Sequence, residues 1–373
     1  MTIGGVCFRI RLLSGFSLYL IRYSDILDCP LSMCICTCMD RSQMEKYPLE
    51  LEIALSAVKK ALRVCRRVLD RFVGVRGYSF EKADRSPVTI ADFASQAVIM
   101  AELLNAFPAD AIVGEEDAGL IRKDHGIYDD VVSIVGEECG DFKDNKLSDL
   151  IDCGKRPFDP LHRFWTLDPI DGTKGYLAGR QYAVALALME EGNVRLGVLA
   201  CPGLEKTPLE TGEGGCILFA IRREGTRVMK IDGGDTEPVT RKSFIPLERA
   251  RLCESVEPSH SAHEIHARIL QDLGISAPPL RMDSQAKYGA VALGTADIYL
   301  RIPRKKDYRE KIWDHAAGTL IIKEAGGQVS DIMGRPLDFS KGEVLEANTG
   351  VVATAGGIHA QVISAVKRAI RPC

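Results

Sequence analysis

A chain of 373 residues holds enough material for one large domain or two, with a buried core. Its 46% hydrophobic and 27% charged residues are the make-up of an ordinary soluble globular enzyme. A net charge of −3 excludes a nucleic-acid polymer as the main ligand, because a surface that tracks phosphates needs a basic excess.

Residues 1–43 are read as an N-terminal extension, disordered or targeting, outside the fold. The run "CFRIRLLSGFSLYLIRYS" carries arginines among its apolar residues, so it is too short and too charged to span a membrane. It also lacks the apolar core and small-residue cleavage site of a signal peptide. Arginine without lysine suggests an organellar transit peptide, while Asp25, Asp28 and Asp40 speak against one. The compartment stays open between the cytoplasm and an organelle such as a plastid or mitochondrion. Five of the 12 cysteines fall here, Cys7, Cys29, Cys34, Cys36 and Cys38, and "CICTC" either binds a soft metal or is incidental. The other seven are scattered without zinc spacing, which reads as reduced thiols in an intracellular compartment.

From Tyr47 to about Val73, Leu51, Leu55, Val58, Leu62, Cys65, Leu69 and Phe72 recur at steps of three and four, which predicts an amphipathic helix. A second helix is expected from about Ile90 to Phe107, stopped by Pro108, and "AIVG" reads as a short buried strand ending at Glu115. Residues 119–160 are polar and look like a lid or insertion with one helix. "YAVALALMEEGNVRLGVLAC" predicts two strands joined by a Gly-Asn turn, and "GCILFAIRREGTRVMKI" a second hairpin. After Ile231 a charged linker is expected to lead into a second half. The division is 44–231, an α+β half carrying acidic groups, and 232–373, an α/β half.

The acidic groups carry the chemistry. "WTLDPIDGTKG" sets Asp168 and Asp171 three apart around a proline, "IVGEED" puts Glu115 after a strand, and "KIWDHAAGTL" puts Asp314 at a helix start. "KADRSPVTIAD" adds Asp84 and Asp92. Each alone is explained by a turn, a cap or a solvated loop. Four carboxylates at the ends of apolar elements, however, supply the hard oxygen ligands that magnesium takes, and two ions would fit. The backbone N–H groups of Gly172 and Thr173 then suit a phosphate oxygen.

"DPIDGT" and "WDHAAG" resemble the signature segments of the lithium-sensitive, magnesium-dependent phosphatases that include inositol monophosphatase. "DRSPVTIADFASQA", "QYAVALAL", "VEPSHSAH", "DSQAKYGAVALG" and "YREKIWDHAAG" narrow the resemblance to the 3′(2′),5′-bisphosphate nucleotidases, over roughly residues 47 to 367. The plant-type members are also credited with inositol polyphosphate 1-phosphatase activity. The resemblance implies a layered αβαβα sandwich of mixed α and β structure and two or three magnesium ions. It assigns Glu115, Asp168, the Ile170 carbonyl, Asp171 and Asp314 to metal, and Thr173 with Asp84 to the attacking water. It assigns Gly172, Thr173, His260, Ser284, Lys287 and Arg301 to the substrate.

The implied reaction is hydrolysis of the 3′-phosphate of adenosine 3′,5′-bisphosphate, with the 2′-isomer and the 5′-phosphosulfate analogue as further substrates. It is an in-line displacement with no covalent enzyme intermediate. One departure is "GYLAGRQ", which lacks the family's usual arginine and acidic residue. The alternatives are inositol polyphosphate 1-phosphatase as the main activity, or a non-catalytic nucleotide sensor. The sensor reading expects decay in a metal ligand or in Thr173, and none is seen. No membrane partner is expected, and the oligomeric state stays open.

Overall fold

The computed structural model describes residues 46–72, 79–81, 87–140, 146–204, 214–241, 245–256, 262–305 and 307–370. The expectations for residues 1–43 lie outside the described residues. From Tyr47 onward the chain forms one compact unit.

Helix α1 (Pro48–Phe72) follows the predicted periodicity and turns Ala54, Ala57, Val58, Ala61, Cys65 and Val68 inward. Strands β1 (Ser79–Glu81) and β2 (Pro87–Thr89) pair antiparallel and lead into α2 (Ile90–Ala106), against which α1 packs. Thr89 starts α2 through a capping box: its hydroxyl accepts from the Asp92 N–H, and Asp92 Oδ2 accepts from the Thr89 N–H at 2.7 Å. Strand β3 (Ala111–Gly114) follows.

Residues 119–160 are not a lid with one helix. They contain α3 (His125–Cys139) and α4 (Leu147–Asp152), and α3 packs Ile127, Val131, Ile134 and Val135 into the same core as α2. The stretch looks solvated in sequence because its acids serve a seam. Glu137 and Glu138 of α3 pair with Arg63, Arg67 and Arg71 of α1.

Strand β4 (Phe164–Asp171), the short helix α5 (Thr173–Leu177), and strands β5 (Ala183–Glu190), β6 (Asn193–Pro202), β7 (Gly215–Ile221), β8 (Gly225–Lys230) and β9 (Glu237–Val239) follow. The first large sheet has seven strands in the order β3-β4-β5-β6-β7-β8-β9, parallel only between β3 and β4. The β5–β6 turn is Glu191-Gly192, one residue before the predicted Gly-Asn. Both turn residues have positive φ, 53° and 68°, as a two-residue hairpin of right-handed twist requires. The expected linker after Ile231 contributes β9, which pairs with β8 as the edge strand.

The second half supplies β10 (Leu252–Glu254), α6 (His263–Asp272), β11 (Leu280–Arg281), α7 (Ala286–Leu293), β12 (Ile298–Arg301), α8 (Ala316–Glu324), β13 (Gln328–Ser330), β14 (Val351–Thr354) and α9 (His359–Ala369). Its sheet has five strands in the order β11-β10-β12-β14-β13.

The layers follow from strand periodicity. Along β5, Val184, Leu186 and Leu188 enter one core with α1 and α2, while Ala183, Ala185, Ala187 and Met189 enter another with α7 and α8. Both faces are covered, so the strand reads as a continuous apolar run. Gly197 of β6 lets α8 approach, since a Cβ there would lie 3.0 Å from the Ala317 backbone. The second sheet repeats the scheme. Cys253, Tyr299 and Ala353 face α7 and α8, whereas Leu252, Leu300 and Val352 pack on Ile269, Val362 and Val366 of α6 and α9. The architecture is therefore an αβαβα sandwich, as the resemblance implied.

Cys65, Cys139, Cys153, Cys201, Cys216 and Cys253 are free thiols, and Cys373 lies outside the described residues. No described helix is long and apolar enough to cross a membrane.

Candidate active site

Because β3 and β4 run parallel, their C-terminal ends reach the same edge of the sheet. Gly114 pairs with Leu167, so Glu115, just past the end of β3, comes beside Asp168, which still pairs with Ala185 within β4. The pairing of β4 with β5 is interrupted between Asp168 and Asp171, where Pro169 has no N–H to give the ladder. The Ile170 N–H instead folds back on Asp168 Oδ1 at 3.1 Å. Gly172 then turns with φ 86°. A side chain there would be strained and would also meet Ser284 Cβ at 2.8 Å. Ser284 itself holds φ 64°, a conformation costly for a residue with a Cβ and characteristic of constrained sites. The Gln285 N–H, one residue on, donates to Asp171 Oδ2 at 2.7 Å, and its side-chain amide donates to the Trp313 carbonyl at 3.0 Å. Asp314 thus arrives beside the other acids on the turn before α8. The helix begins at Ala316 with His315 in the cap position, so Asp314 is not a cap.

The four carboxylates repel one another. Burial, then Glu115, Asp171 and Asp314, pushes the Asp168 carboxyl well above its ordinary range. Burial also raises Asp314, with Asp171 and Glu115 adding to the effect against Arg301. A set of hard oxygen ligands held this close, with Asp168 buried and the other three half-buried, fits a divalent cation such as magnesium. Glu310, Asp314 and His315 also lie within ligand distance of one another. That trio is already committed: His315 hydrogen-bonds Glu310 at 3.2 Å and Tyr288 at 2.8 Å, and Glu310 accepts from Arg301 Nε at 2.7 Å. We read it as a positioning network for Arg301 and Asp314.

Thr173, first residue of α5, sets its Oγ1 3.3 Å from Asp92 Oδ1 and 3.2 Å from the Ile170 carbonyl. Asp84, the expected partner of Thr173, lies outside the described residues, as does His260.

The four carboxylates and Thr173 line a cleft of about 930 Å³, ample for a nucleotide. Its other wall carries Ser284, Lys287 and Arg301. Lys287 is 3% exposed, which excludes an ordinary surface charge. Its Nζ donates to the Met282 carbonyl at 3.3 Å and lies 5.4 Å from the Tyr299 ring centroid. Burial lowers its pKa, opposed by Cys253 and Asp171. Arg301 is held by Glu310 and by the Tyr308 hydroxyl at 3.1 Å, with Asp314 at 3.9 Å. At the departure in "GYLAGRQ", Arg180 pairs with the buried Asp283 at 3.1 Å on the cleft wall.

The sequence offers Asp92 as one of the acids without giving it a role, and sequence reasoning missed Lys155, Gln285 and Glu310 as members of the site. Only Asp92 left a local signal, three residues after Thr89, and that spacing is fully explained by the helix cap. Lys155 and Gln285 act by reaching groups distant in the chain, and Glu310 acts by holding Arg301 and His315 across a turn of the fold.

The profile of the inositol monophosphatase family matches residues 49–371. A 3′(2′),5′-bisphosphate nucleotidase of Emericella nidulans is 42% identical over 352 residues, covering 87% of this chain and 99% of that protein. One from Oryza sativa is 40% identical over 354 residues, covering 89% and 98%. Among solved structures, a Thermotoga maritima IMPase aligns with a TM-score of 0.59 at 22% identity, covering 87% of this chain and 98% of that one. The Bartonella henselae extragenic suppressor protein suhB aligns with a TM-score of 0.57 at 21% identity, covering 86% and 99%.

Proposed function

Because the chain belongs to the inositol monophosphatase family, we propose that it hydrolyses the 3′-phosphate of adenosine 3′,5′-bisphosphate to AMP and phosphate. The names of the relatives near 40% identity support this substrate class. The observation that carries it is one cleft lined by two unlike sets of charges, a carboxylate cluster and the cations Lys287 and Arg301, the latter 3.9 Å from Asp314. A bisphosphate matches that pairing: one phosphate reacts at the carboxylates through a cation, and the second is held by the fixed cations.

Proteins of this family are generally magnesium-dependent. Two or three ions, held by Glu115, Asp168, Asp171, Asp314 and the Ile170 carbonyl, would supply charge that neutralises the phosphate oxygens and acidifies water. The chain's own groups do the rest. Thr173 Oγ1 donates to Asp92, which leaves its lone pairs to accept a hydrogen bond from water. The proton released on attack then has a route through the hydroxyl to the Asp92 carboxylate. The N–H groups of Gly172 and Thr173 stand at the start of α5, where no intrahelical acceptor serves them, and suit a phosphate oxygen. Lys287 and Arg301 position the second phosphate by charge-assisted hydrogen bonds, so that its binding energy orients the first. The 2′-isomer and the 5′-phosphosulfate analogue present the same pair of anionic groups.

Product analysis tests this reading. Incubation of adenosine 3′,5′-bisphosphate with the protein and magnesium should yield 5′-AMP. Accumulation of 3′-AMP would show the substrate bound in the opposite sense and would refute the assignment of the two sets of charges.

A further inference from the structure

The turn at Cys153–Lys155, within the polar 119–160 segment, stands against the segment that bears Glu115. Gly154 is buried, and a Cβ there would lie 3.2 Å from the Gly114 nitrogen, so the turn at Cys153–Lys155 presses on the end of β3. Lys155 Nζ donates to the carbonyl of Gly114 at 2.8 Å and to that of Glu115 at 2.9 Å. Gln96 of α2 grips the next residue: its Nε2 donates to the Glu116 carbonyl at 2.8 Å, and its Oε1 accepts from the Glu116 N–H at 3.0 Å. The segment carrying Glu115 is therefore clamped on both sides. The same Lys155 ammonium lies 5.0 Å from the centroid of the Trp313 ring, and Trp313 precedes Asp314. The Trp313 carbonyl is in turn held by Gln285, whose N–H binds Asp171.

We propose that Lys155 is a positioning residue of the metal site, joining the segment that bears Glu115 to the segment that bears Asp314. It fixes the backbone from which Glu115 projects and docks against the ring beside Asp314, so the carboxylates are held at ligand spacing before a cation arrives. Its ammonium also places a positive charge near Glu115, as Arg301 does beside Asp314. The inference rests on the reading of those carboxylates as a metal site.

The test measures metal affinity directly, with Mn2+ as the probe and the spectrum of the free aqueous ion as the readout, on the full chain. Lys155→Met removes both hydrogen bonds and the charge, and should weaken Mn2+ binding about 10–100-fold, the range for groups that orient metal ligands. Lys155→Arg keeps donors for both carbonyls and should stay within about threefold of wild type, which a mere space-filling role would not predict. Lys155→Gln stands in if the Met variant fails to fold in EDTA, and the same weakening is expected of it. Unchanged binding in a folded Met or Gln variant overturns the proposal. An Arg variant as weak as Met overturns it too. A wild-type chain that binds no Mn2+ would refute the metal-site reading itself, and this inference with it.

Discussion

Thr173 and Asp92 are 81 residues apart in sequence, yet the Thr173 hydroxyl stands 3.3 Å from Asp92 Oδ1. The other oxygen of the same carboxylate, Oδ2, accepts from the Thr89 N–H at 2.7 Å and the Thr89 hydroxyl at 2.6 Å. One side chain therefore starts α2 and meets the hydroxyl that we propose activates water. Asp92→Asn should keep a cap acceptor but present an amide N–H donor to Thr173. We expect kcat to fall by at least about 100-fold, the lower range for loss of a general base. The cap change should cost no more than about 2 kcal/mol of stability. Steady-state kinetics beside a thermal melt separates the two effects, and a folded variant with normal kcat would remove Asp92 from the mechanism.

The pentapeptide "IVGEE" occurs twice, at 112–116 and 134–138, and supplies a matched pair of variants. Glu115 follows β3 and faces Asp168, whereas Glu137 sits on α3 and pairs with Arg67 and Arg71. Glu115→Gln should raise the magnesium needed for half-maximal activity by about 10–100-fold. Glu137→Gln should stay within about threefold, because a partly exposed pair contributes about 0–1 kcal/mol. A magnesium titration of both variants checks this, and the reverse ranking would move the metal site.

Lys287 is buried in the cleft wall, where its Nζ donates only to the Met282 carbonyl among the hydrogen bonds described and Asp171 favours its charge. Lys287→Met should therefore raise KM for a bisphosphate nucleotide by about 10–100-fold, as expected for a charge-assisted contact of about 1.5–3 kcal/mol. Turnover of 3′-AMP, which lacks the second phosphate, should change far less. An equal loss on both substrates would mean that Lys287 shapes the fold and does not read the second phosphate.

The raised carboxyls of Asp168 and Asp314 give the metal-free protein a pH signature. Below the ordinary carboxylate range of about 4, both groups are protonated in the folded and the unfolded chain. As pH rises through that range, the unfolded chain loses its protons first. The folded state is then disfavoured increasingly until its own carboxyls ionise. A cation binds the ionised form and offsets that loss. The increase in Tm on adding magnesium should therefore be small near pH 5 and larger near pH 8. A pH-independent increase would show that these two carboxyls are not what the cation meets.

Much of the fold is legible because local pattern and burial agree. The helix periodicity of α1 and the apolar runs of β5, β6 and β7 are each covered on the faces that the pattern predicts. The two "IVGEE" copies mark the limit of this. One is a strand because it pairs with β4, and the other is helical because Asp124 caps α3 and Ile127 and Val131 extend its buried stripe. Five identical residues carry neither fact. The acids around "DPIDGT" and "WDHAAG" are legible as a site because small and turn-forming residues hold them in place. Lys155 is not, since only its reach across 40 residues to Glu115 gives it a role, and no local spacing encodes that.

The most direct test compares kcat/KM for adenosine 3′,5′-bisphosphate with that for inositol 1,4-bisphosphate and 3′-AMP, each with magnesium and with EDTA. The bisphosphate nucleotide should be the best of the three, with 5′-AMP as its product, and EDTA should abolish turnover. A higher kcat/KM for the inositol bisphosphate, or turnover that persists in EDTA, would contradict it.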